Sequence, residues 1–293
     1  MELTSKTIEQ LLTAHHLLVA KPDSDQTFDF LHYDTRQVKD QTLFVVKGAF
    51  RVEYLAQAAG VTGLVTEELL PVDLPQWQVT DVQKALSVLS MAFFDHPQND
   101  LWIGAFTGTK GKTTAAYMAF QILQHMTHQH TVLFSTVDRI TGNQPADKKK
   151  SDLTTPESYE LFKDMRRAVD NGMTHLVMEV SSQAYLKQRV YGLEFQVGAF
   201  LNISPDHIGP NEHPSFEDYL AHKMMLLDHA EQVIVNAASD QLSAVLAHAK
   251  THHDHVYTYS QTDQGGAYTY QSLESAIHES RFTVAESDLA EMS

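Results

Sequence analysis

Leu101-Trp102-Ile103-Gly104-Ala105-Phe106-Thr107-Gly108-Thr109-Lys110-Gly111-Lys112-Thr113-Thr114 decides how this chain is read. The apolar run Leu101 to Phe106 predicts a buried strand, and a tight glycine-containing turn follows it. Thr113 to Leu123 then predicts a helix with Ala115, Met118, Ala119, Ile122 and Leu123 on one face. Strand, Gly-Lys-Thr turn and helix together make a phosphate-binding loop. The first N–H groups of a helix have no partner within it and point at an anion. Gly108 and Gly111 let the backbone approach without a Cβ. Thr109, Lys110, Gly111, Lys112, Thr113 and Thr114 are therefore the candidate phosphate-binding residues, with Lys112 on the outer phosphates and the Thr113 hydroxyl on Mg²⁺. One position departs from the usual pattern: Phe106 stands where a glycine is expected five residues before Gly111. An ordinary strand–turn–helix with a chance Gly-Lys-Thr remains the competing reading.

Working outward, 293 residues suggest two domains, and a hydrophobic fraction of 43% is enough for real cores. No apolar stretch is long enough to span a membrane, and Met1 to Lys6 lacks the pattern of a signal peptide. The chain has no cysteine, so disulfides, thiolate metal sites and a Cys nucleophile are excluded, as a reducing cytoplasm allows. A net charge of −16 argues against general nucleic-acid binding but allows a local basic pocket for one nucleotide. Most of the 17 histidines lie in polar runs such as His252-His253-Asp254-His255, which read as solvated surface rather than metal sites.

Residues 1–97 read as a small α/β domain, closed by a linker at His96-Pro97-Gln98-Asn99. Its elements are a helix over Thr7 to Leu18, strands at Phe28 to Tyr33, Leu43 to Val46 and Thr62 to Thr66, and a helix from Asp81. Asp34-Thr35-Arg36 precedes the second strand; a surface ion pair with Thr35 in a turn accounts for it locally. Residues 98–293 read as a larger domain of strand–helix units. Thr136 to Asp152 is a loop or short hairpin with a solvated lysine triplet at 148–150. In Leu153-Thr154-Thr155-Pro156-Glu157, Thr155 suits an N-cap, Pro156 the first turn, and Glu157 the helix dipole.

The strand His175 to Val180 carries Glu179 at its C-terminal end, where open α/β sheets place ligands. A carboxylate inside an apolar strand must be paired or bind metal. Ser181 follows it, and Arg189 has the fork for a phosphate or carboxylate. Val197 to Ile203 ends in Asn202-Ile203-Ser204-Pro205-Asp206-His207, and Ser215 with Asp218 makes a capping box for a helix that carries Lys223. Read alone, Lys223 is an ordinary helix lysine.

Five segments in this order resemble the Mur ligase family in its MurE branch: Asp34-Thr35-Arg36, Thr107 to Thr114, Thr154 to Glu157, Met178 to Ser182, and Asp206-His207 through Lys223. The stretches Leu153 to Ser158 and Ser204 to Pro210 look most like the lysine-adding enzymes of Gram-positive bacteria. The resemblance implies a UDP-sugar-binding α/β domain followed by a P-loop α/β ATPase domain with a mostly parallel sheet. It further implies that a C-terminal amino-acid-binding domain is absent from this chain. The implied reaction is ATP-dependent addition of L-lysine to UDP-N-acetylmuramoyl-L-alanyl-D-glutamate through an acyl phosphate, by a cytoplasmic monomer in peptidoglycan synthesis. Thr35, Thr154, Thr155, Ser181 and Arg189 would hold the substrate, and Thr35 its uridine end. Thr113, Glu179, His207 and a carbamoylated Lys223 would hold Mg²⁺, and Lys112, His207 and Lys223 would be catalytic. A lysine that adds carbon dioxide needs a lowered pKa, as a buried amine near basic groups has. The alternatives are the same reaction with meso-diaminopimelate, a generic P-loop NTPase, and a truncated, non-catalytic UDP-sugar- and ATP-binding remnant.

Overall fold

A computed structural model describes residues 2–210, 212–261, 266–275 and 280–284. The first part of the chain forms β1 (Leu3–Thr4), α1 (Ser5–Ala14), β2 (Leu18–Ala20), β3 (Thr27–Phe28), β4 (Phe30–His32), β5 (Thr42–Val45), β6 (Val61–Thr66), β7 (Gln76–Val79) and α2 (Val82–Phe93). Next come β8 (Trp102–Thr107), α3 (Lys112–Met126), β9 (Thr131–Phe134), β10 (Asp138–Ile140), β11 (Lys148–Lys150), α4 (Ser158–Asp170), β12 (His175–Glu179) and α5 (Ser182–Leu186). The last part holds β13 (Phe195–Phe200), α6 (Phe216–Asp228), β14 (Ala230–Asn236), α7 (Leu242–Ala249), β15 (Tyr257–Gln261), β16 (Tyr268–Ser275) and β17 (Ser280–Val284).

The chain divides into two compact units that do not follow chain order. The first gathers the residues up to Leu101 with Pro156–Gly172 and Lys187–Gly192; the second holds Trp102–Thr155, Met173–Leu186 and the chain from Leu193. This differs from a single cut at 97/98, which gives α4 to the second domain. The reason is packing. α4 turns Tyr159, Phe162 and Met165 into the first unit's core, and the Tyr159 ring lies 4.5 Å from that of His32 and 5.2 Å from that of Phe94. Ser87 Oγ likewise donates to Tyr191 O at 2.9 Å.

The first unit is built on a five-stranded sheet of order β2-β7-β6-β5-β4. β4 to β7 run parallel, and β2 closes the edge antiparallel. Buried Trp77 meets Phe28 edge to face at 5.6 Å. Asp81 caps α2 by accepting from Gln83 N and Lys84 N.

The second unit carries a ten-stranded sheet of order β11-β10-β9-β12-β8-β13-β14-β15-β16-β17. Seven strands, β9 through β16 in that order, run parallel. Parallel strands are covered on both faces, which is why β8, β12 and β13 read as apolar runs. From β8 the chain crosses through α3 toward β9; from β13 it crosses through α6 toward β14, in the opposite direction. Right-handed crossovers in opposite directions put these helices on opposite faces. The switch point falls between neighbouring β8 and β13, and a crevice at such a point is where open α/β sheets bind ligands. Among the described residues, no helix is long and apolar enough to cross a membrane.

Several local expectations change. Met118 and Ile122 do not face the core; they are 58% and 61% exposed. Ala119 and Leu123 pack as expected, but with Ala116, Tyr117 and Phe120 in place of Met118 and Ile122, against Leu133 and Val177. Of the two readings of Thr136 to Asp152, the short hairpin holds: β10 and β11 pair antiparallel, the three lysines at 148–150 are exposed, and Lys148 Nζ lies 2.9 Å from Asp138. α4 begins at Ser158, because the Thr155 hydroxyl is engaged elsewhere and does not cap it.

Candidate nucleotide and substrate sites

In the second unit, Gly111 takes φ +82° and turns the chain from loop into α3, a conformation that glycine adopts without strain. The loop is anchored from the neighbouring strand end. Asn202, two residues past β13, accepts from Lys110 N through Oδ1 and donates Nδ2–H to Lys110 O, both at 2.9 Å. Its backbone O accepts from Thr109 N at 3.1 Å. The Thr109 hydroxyl donates to Ser204 O and accepts from Ser204 N, so Tyr219 OH is left to donate to it at 3.2 Å.

Two lysines converge on one loop carbonyl. Lys112 Nζ and Lys223 Nζ each donate to Gly108 O at 2.8 Å. Burial lowers the Lys112 pKa, against the opposing pull of Glu179 and Asp206. Lys223 is 2% exposed, and burial, helped by the Lys112 charge, brings its pKa to about 7. Its ammonium sits 4.8 Å from the centre of the Tyr219 ring. Lys223 is therefore not the solvated helix lysine that its sequence context suggests.

Glu179 is fully buried and accepts from Thr136 N at 2.8 Å and Thr136 Oγ1 at 3.0 Å. Thr136 Oγ1 lies 3.0 Å from Thr154 Oγ1. Thr155 Oγ1 donates to Glu179 O at 3.0 Å and accepts from Ser181 N at 3.1 Å. Thr154, Thr155, Glu179 and Ser181 thus form one connected group at the end of β12. His207 stands apart from it. Half exposed, with φ +51°, its Nδ1 lies 3.0 Å from Glu212, and it makes no hydrogen bond to Glu179 or Lys223 among the described residues.

His213 was not singled out by sequence, yet it is fully buried and joins three segments of this site. Its Nδ1 lies 2.7 Å from Asp218, and its Nε2 lies 2.9 Å from Ser182 Oγ. The carboxylate only accepts, so in the neutral ring Nδ1–H donates and Nε2 takes the serine proton. Ser215 caps α6 as expected, but Asp218 completes no box, because its carboxylate is turned to His213 and His222.

The first unit holds the remaining candidates. Buried His32 is kept neutral, its pKa lowered to about 4 by burial, and its Nδ1 accepts from Asp34 N. Asp34 caps the next turn through Arg36 N and pairs with the Arg36 guanidinium, which holds its carboxyl well below the usual range. Thr35 sits in that turn and lines a cavity of about 220 Å³ with Gln57 and Gly60. Arg189 grips a carboxylate of its own chain: Nε and Nη2 reach Glu157 Oε1 at 2.9 and 2.7 Å, and Lys47 takes Oε2. Burial opposes ionisation of Glu157, but the two cations outweigh it and lower its pKa. Glu157 stands at the N-cap of α4, as expected, but its carboxylate makes no capping hydrogen bond and is taken by these two cations.

Comparison with known proteins adds the following. A family profile described as the Mur ligase middle domain matches residues 106–293. The chain is 48% identical over 299 aligned residues to a UDP-N-acetylmuramyl-tripeptide synthetase of Latilactobacillus sakei, covering 97% of this chain and 58% of that protein. It is 52% identical over 225 residues to a UDP-N-acetylmuramoyl-L-alanyl-D-glutamate–L-lysine ligase of Streptococcus agalactiae, covering 75% of this chain and 45% of that one. The chain thus spans about half the length of the curated relatives it matches. A solved UDP-N-acetylmuramoyl-L-alanyl-D-glutamate–2,6-diaminopimelate ligase shares the fold at a TM-score of 0.77 and 20% identity, covering 97% of this chain and 57% of that one.

Proposed function

The chain belongs to the Mur ligase family, and on that footing we propose that it carries the nucleotide and sugar-peptide sites of an ATP-dependent ligase. That ligase adds L-lysine to UDP-N-acetylmuramoyl-L-alanyl-D-glutamate. The observation that carries this reading is the convergence of buried Lys223 and half-buried Lys112 on the Gly108 carbonyl, beside the buried carboxylate of Glu179. A carboxylate oxygen of the D-glutamyl residue attacks the γ-phosphorus of ATP, and ADP leaves. The lysine amine then attacks the acyl carbon, phosphate leaves, and the amine loses a proton. The first step needs positioning and charge neutralisation more than covalent help. The loop amides from Gly108 to Thr113 and the Lys112 ammonium hold the phosphates. To reach them, Lys112 exchanges its bond to Gly108 O for a phosphate oxygen.

The oxygen donors of Glu179 and Thr113 suit Mg²⁺, which would neutralise phosphate charge there. His207 and a carbamate on Lys223 would complete a second position, and the depressed Lys223 pKa leaves the neutral amine that carbamate formation requires. Thr154, Thr155 and Ser181 would meet the peptide, Arg189 an anion that replaces Glu157, and Thr35 the uridine end. Lysine is preferred over meso-diaminopimelate because the relative named for lysine is 52% identical, whereas the likeness to the diaminopimelate enzyme speaks for fold alone. A nucleotide-linked substrate and a cysteine-free chain fit the cytoplasm.

Calorimetric titration of the 293-residue chain tests this. Both MgATP and UDP-N-acetylmuramoyl-L-alanyl-D-glutamate should bind, and Lys112→Ala should lose ATP affinity at least a hundredfold while keeping the sugar-peptide. Unchanged ATP affinity in Lys112→Ala would overturn the loop assignment.

A further inference from the structure

The run at His252 is largely exposed, as expected, yet two of its imidazoles contact the fold. His253 Nε2 contacts Leu227 O, and His252 turns onto Asp228 at the C-terminal end of α6. His248, in the last turn of α7, reaches the same carboxylate oxygen. Asp228 Oδ1 lies 2.6 Å from His248 Nε2 and 3.2 Å from His252 Nδ1, and the three ligand atoms lie within 4.8 Å of one another. Nitrogen and oxygen ligands at about 2.1 Å from a tetrahedral or octahedral metal are separated by roughly 3 Å, so little movement would admit an ion.

We propose that Asp228, His248 and His252 form a binding site for a nitrogen-preferring divalent transition ion, with Zn²⁺ its natural occupant. Two imidazoles and one carboxylate match Zn²⁺ and its neighbours, and match the oxygen-seeking Mg²⁺ poorly. The site is reachable: Asp228 and His248 are partly exposed, and the His252 side chain is 49% exposed. The Thr251 hydroxyl donates to His248 O and accepts from His252 Nδ1–H at 2.8 Å, so metal binding releases that proton or moves it to Nε2 and leaves the Thr251 oxygen beside the ligating nitrogen. Burial raises the Tyr185 hydroxyl pKa, and the Asp228 charge adds to that; the hydroxyl has no hydrogen-bond partner among the described residues. A cation bound there would relieve that field. The other three-residue cluster, His213, Asp218 and His222, is a poorer candidate, because His213 is fully buried and the His222 Nδ1 that faces Asp218 already donates to the Asp218 carbonyl oxygen at 2.8 Å. A bound ion would staple the end of α6, five residues beyond Lys223, to the end of α7. The site stands on its own geometry and needs no assumption about the ligase reaction.

The test is titration of the full, tag-free chain with ZnCl₂ and, separately, MgCl₂, followed by anomalous diffraction at the zinc edge from soaked crystals. One equivalent of zinc should bind at micromolar concentration or tighter, with no magnesium effect at the same residues. Saturating zinc should raise the melting midpoint by roughly 5 °C. His248→Ala and His252→Ala should each weaken zinc binding at least tenfold, with circular dichroism unchanged. Asp228→Asn, which keeps the shape, should weaken it as well. The proposal fails if the His248→Ala, His252→Ala double variant binds zinc with the parent's stoichiometry and affinity, or if the anomalous peak lies elsewhere.

Discussion

Asn202→Ala isolates what holds the phosphate loop before any nucleotide arrives. The substitution removes two hydrogen bonds to Lys110, each 2.9 Å long, and leaves the backbone bond to Thr109 N in place. Each lost bond has a net value of about 1 kcal/mol, because the freed Lys110 groups are exposed and turn to water. The loop then starts disordered, and binding must supply the roughly 2 kcal/mol of ordering that the asparagine supplied in advance. At 1.4 kcal/mol per tenfold, ATP affinity should fall about thirtyfold. The unfolding free energy should drop by no more than about 2 kcal/mol. Titration with a fluorescent ATP analogue reads the first quantity, and urea unfolding the second. A folded Asn202→Ala protein that binds within twofold of the parent would show that the loop is rigid without its clamp, and the reasoning would be wrong.

Two further outcomes follow from burial and close approach. Lys223 has a folded-state pKa near 7, below its unfolded value, so between about pH 7 and 10.5 only the unfolded chain binds that proton and stability should rise with pH. In CO₂-free buffer Lys223→Met should be the more stable protein at pH 7, with the gap narrowing toward pH 9; parallel curves would refute the depressed pKa. Gly60→Ala would set a Cβ 2.1 Å from the Lys39 carbonyl oxygen, a clash with backbone that no rotamer relieves. It should destabilise the first unit by about 3 kcal/mol in urea unfolding, and an unshifted midpoint would refute it.

Much of the second unit was legible because its signals are local. An apolar run ending in a glycine turn, a capping serine before α6, and a carboxylate closing an apolar strand all sit within a few residues of the chemistry they announce. What was not legible depends on strand order. Asn202 lies 92 residues from Lys110 and meets it only because β13 is the neighbour of β8. His213 gives no sequence signal, since its two partners, Ser182 and Asp218, converge on it from different elements. Arg189 has the fork for a phosphate or carboxylate, but its present partner, the α4 N-cap residue Glu157, lies 32 residues away and is not indicated by local rules. The α3 face was misjudged because Met118 and Ile122 obey helical periodicity and yet point away from the sheet.

The departure at Phe106 now has a physical account. In this chain the position is not part of the loop at all. Phe106 lies within β8, paired with Glu179 on one side and Ala199 on the other, and its ring packs with Ala116, Leu133 and Val177. The strand runs on to Thr107, so the loop begins only at Gly108 and is short. A short loop has fewer of its own backbone bonds to fix it. The Asn202 side chain supplies them from just past β13, the Thr109 hydroxyl reaches from the loop to Ser204, and Lys112 and Lys223 close on Gly108 O. An aromatic residue where a glycine is expected and an asparagine two residues beyond the adjacent strand are therefore two parts of one arrangement. Restoring glycine at 106 would remove core packing without giving the loop any freedom that it uses.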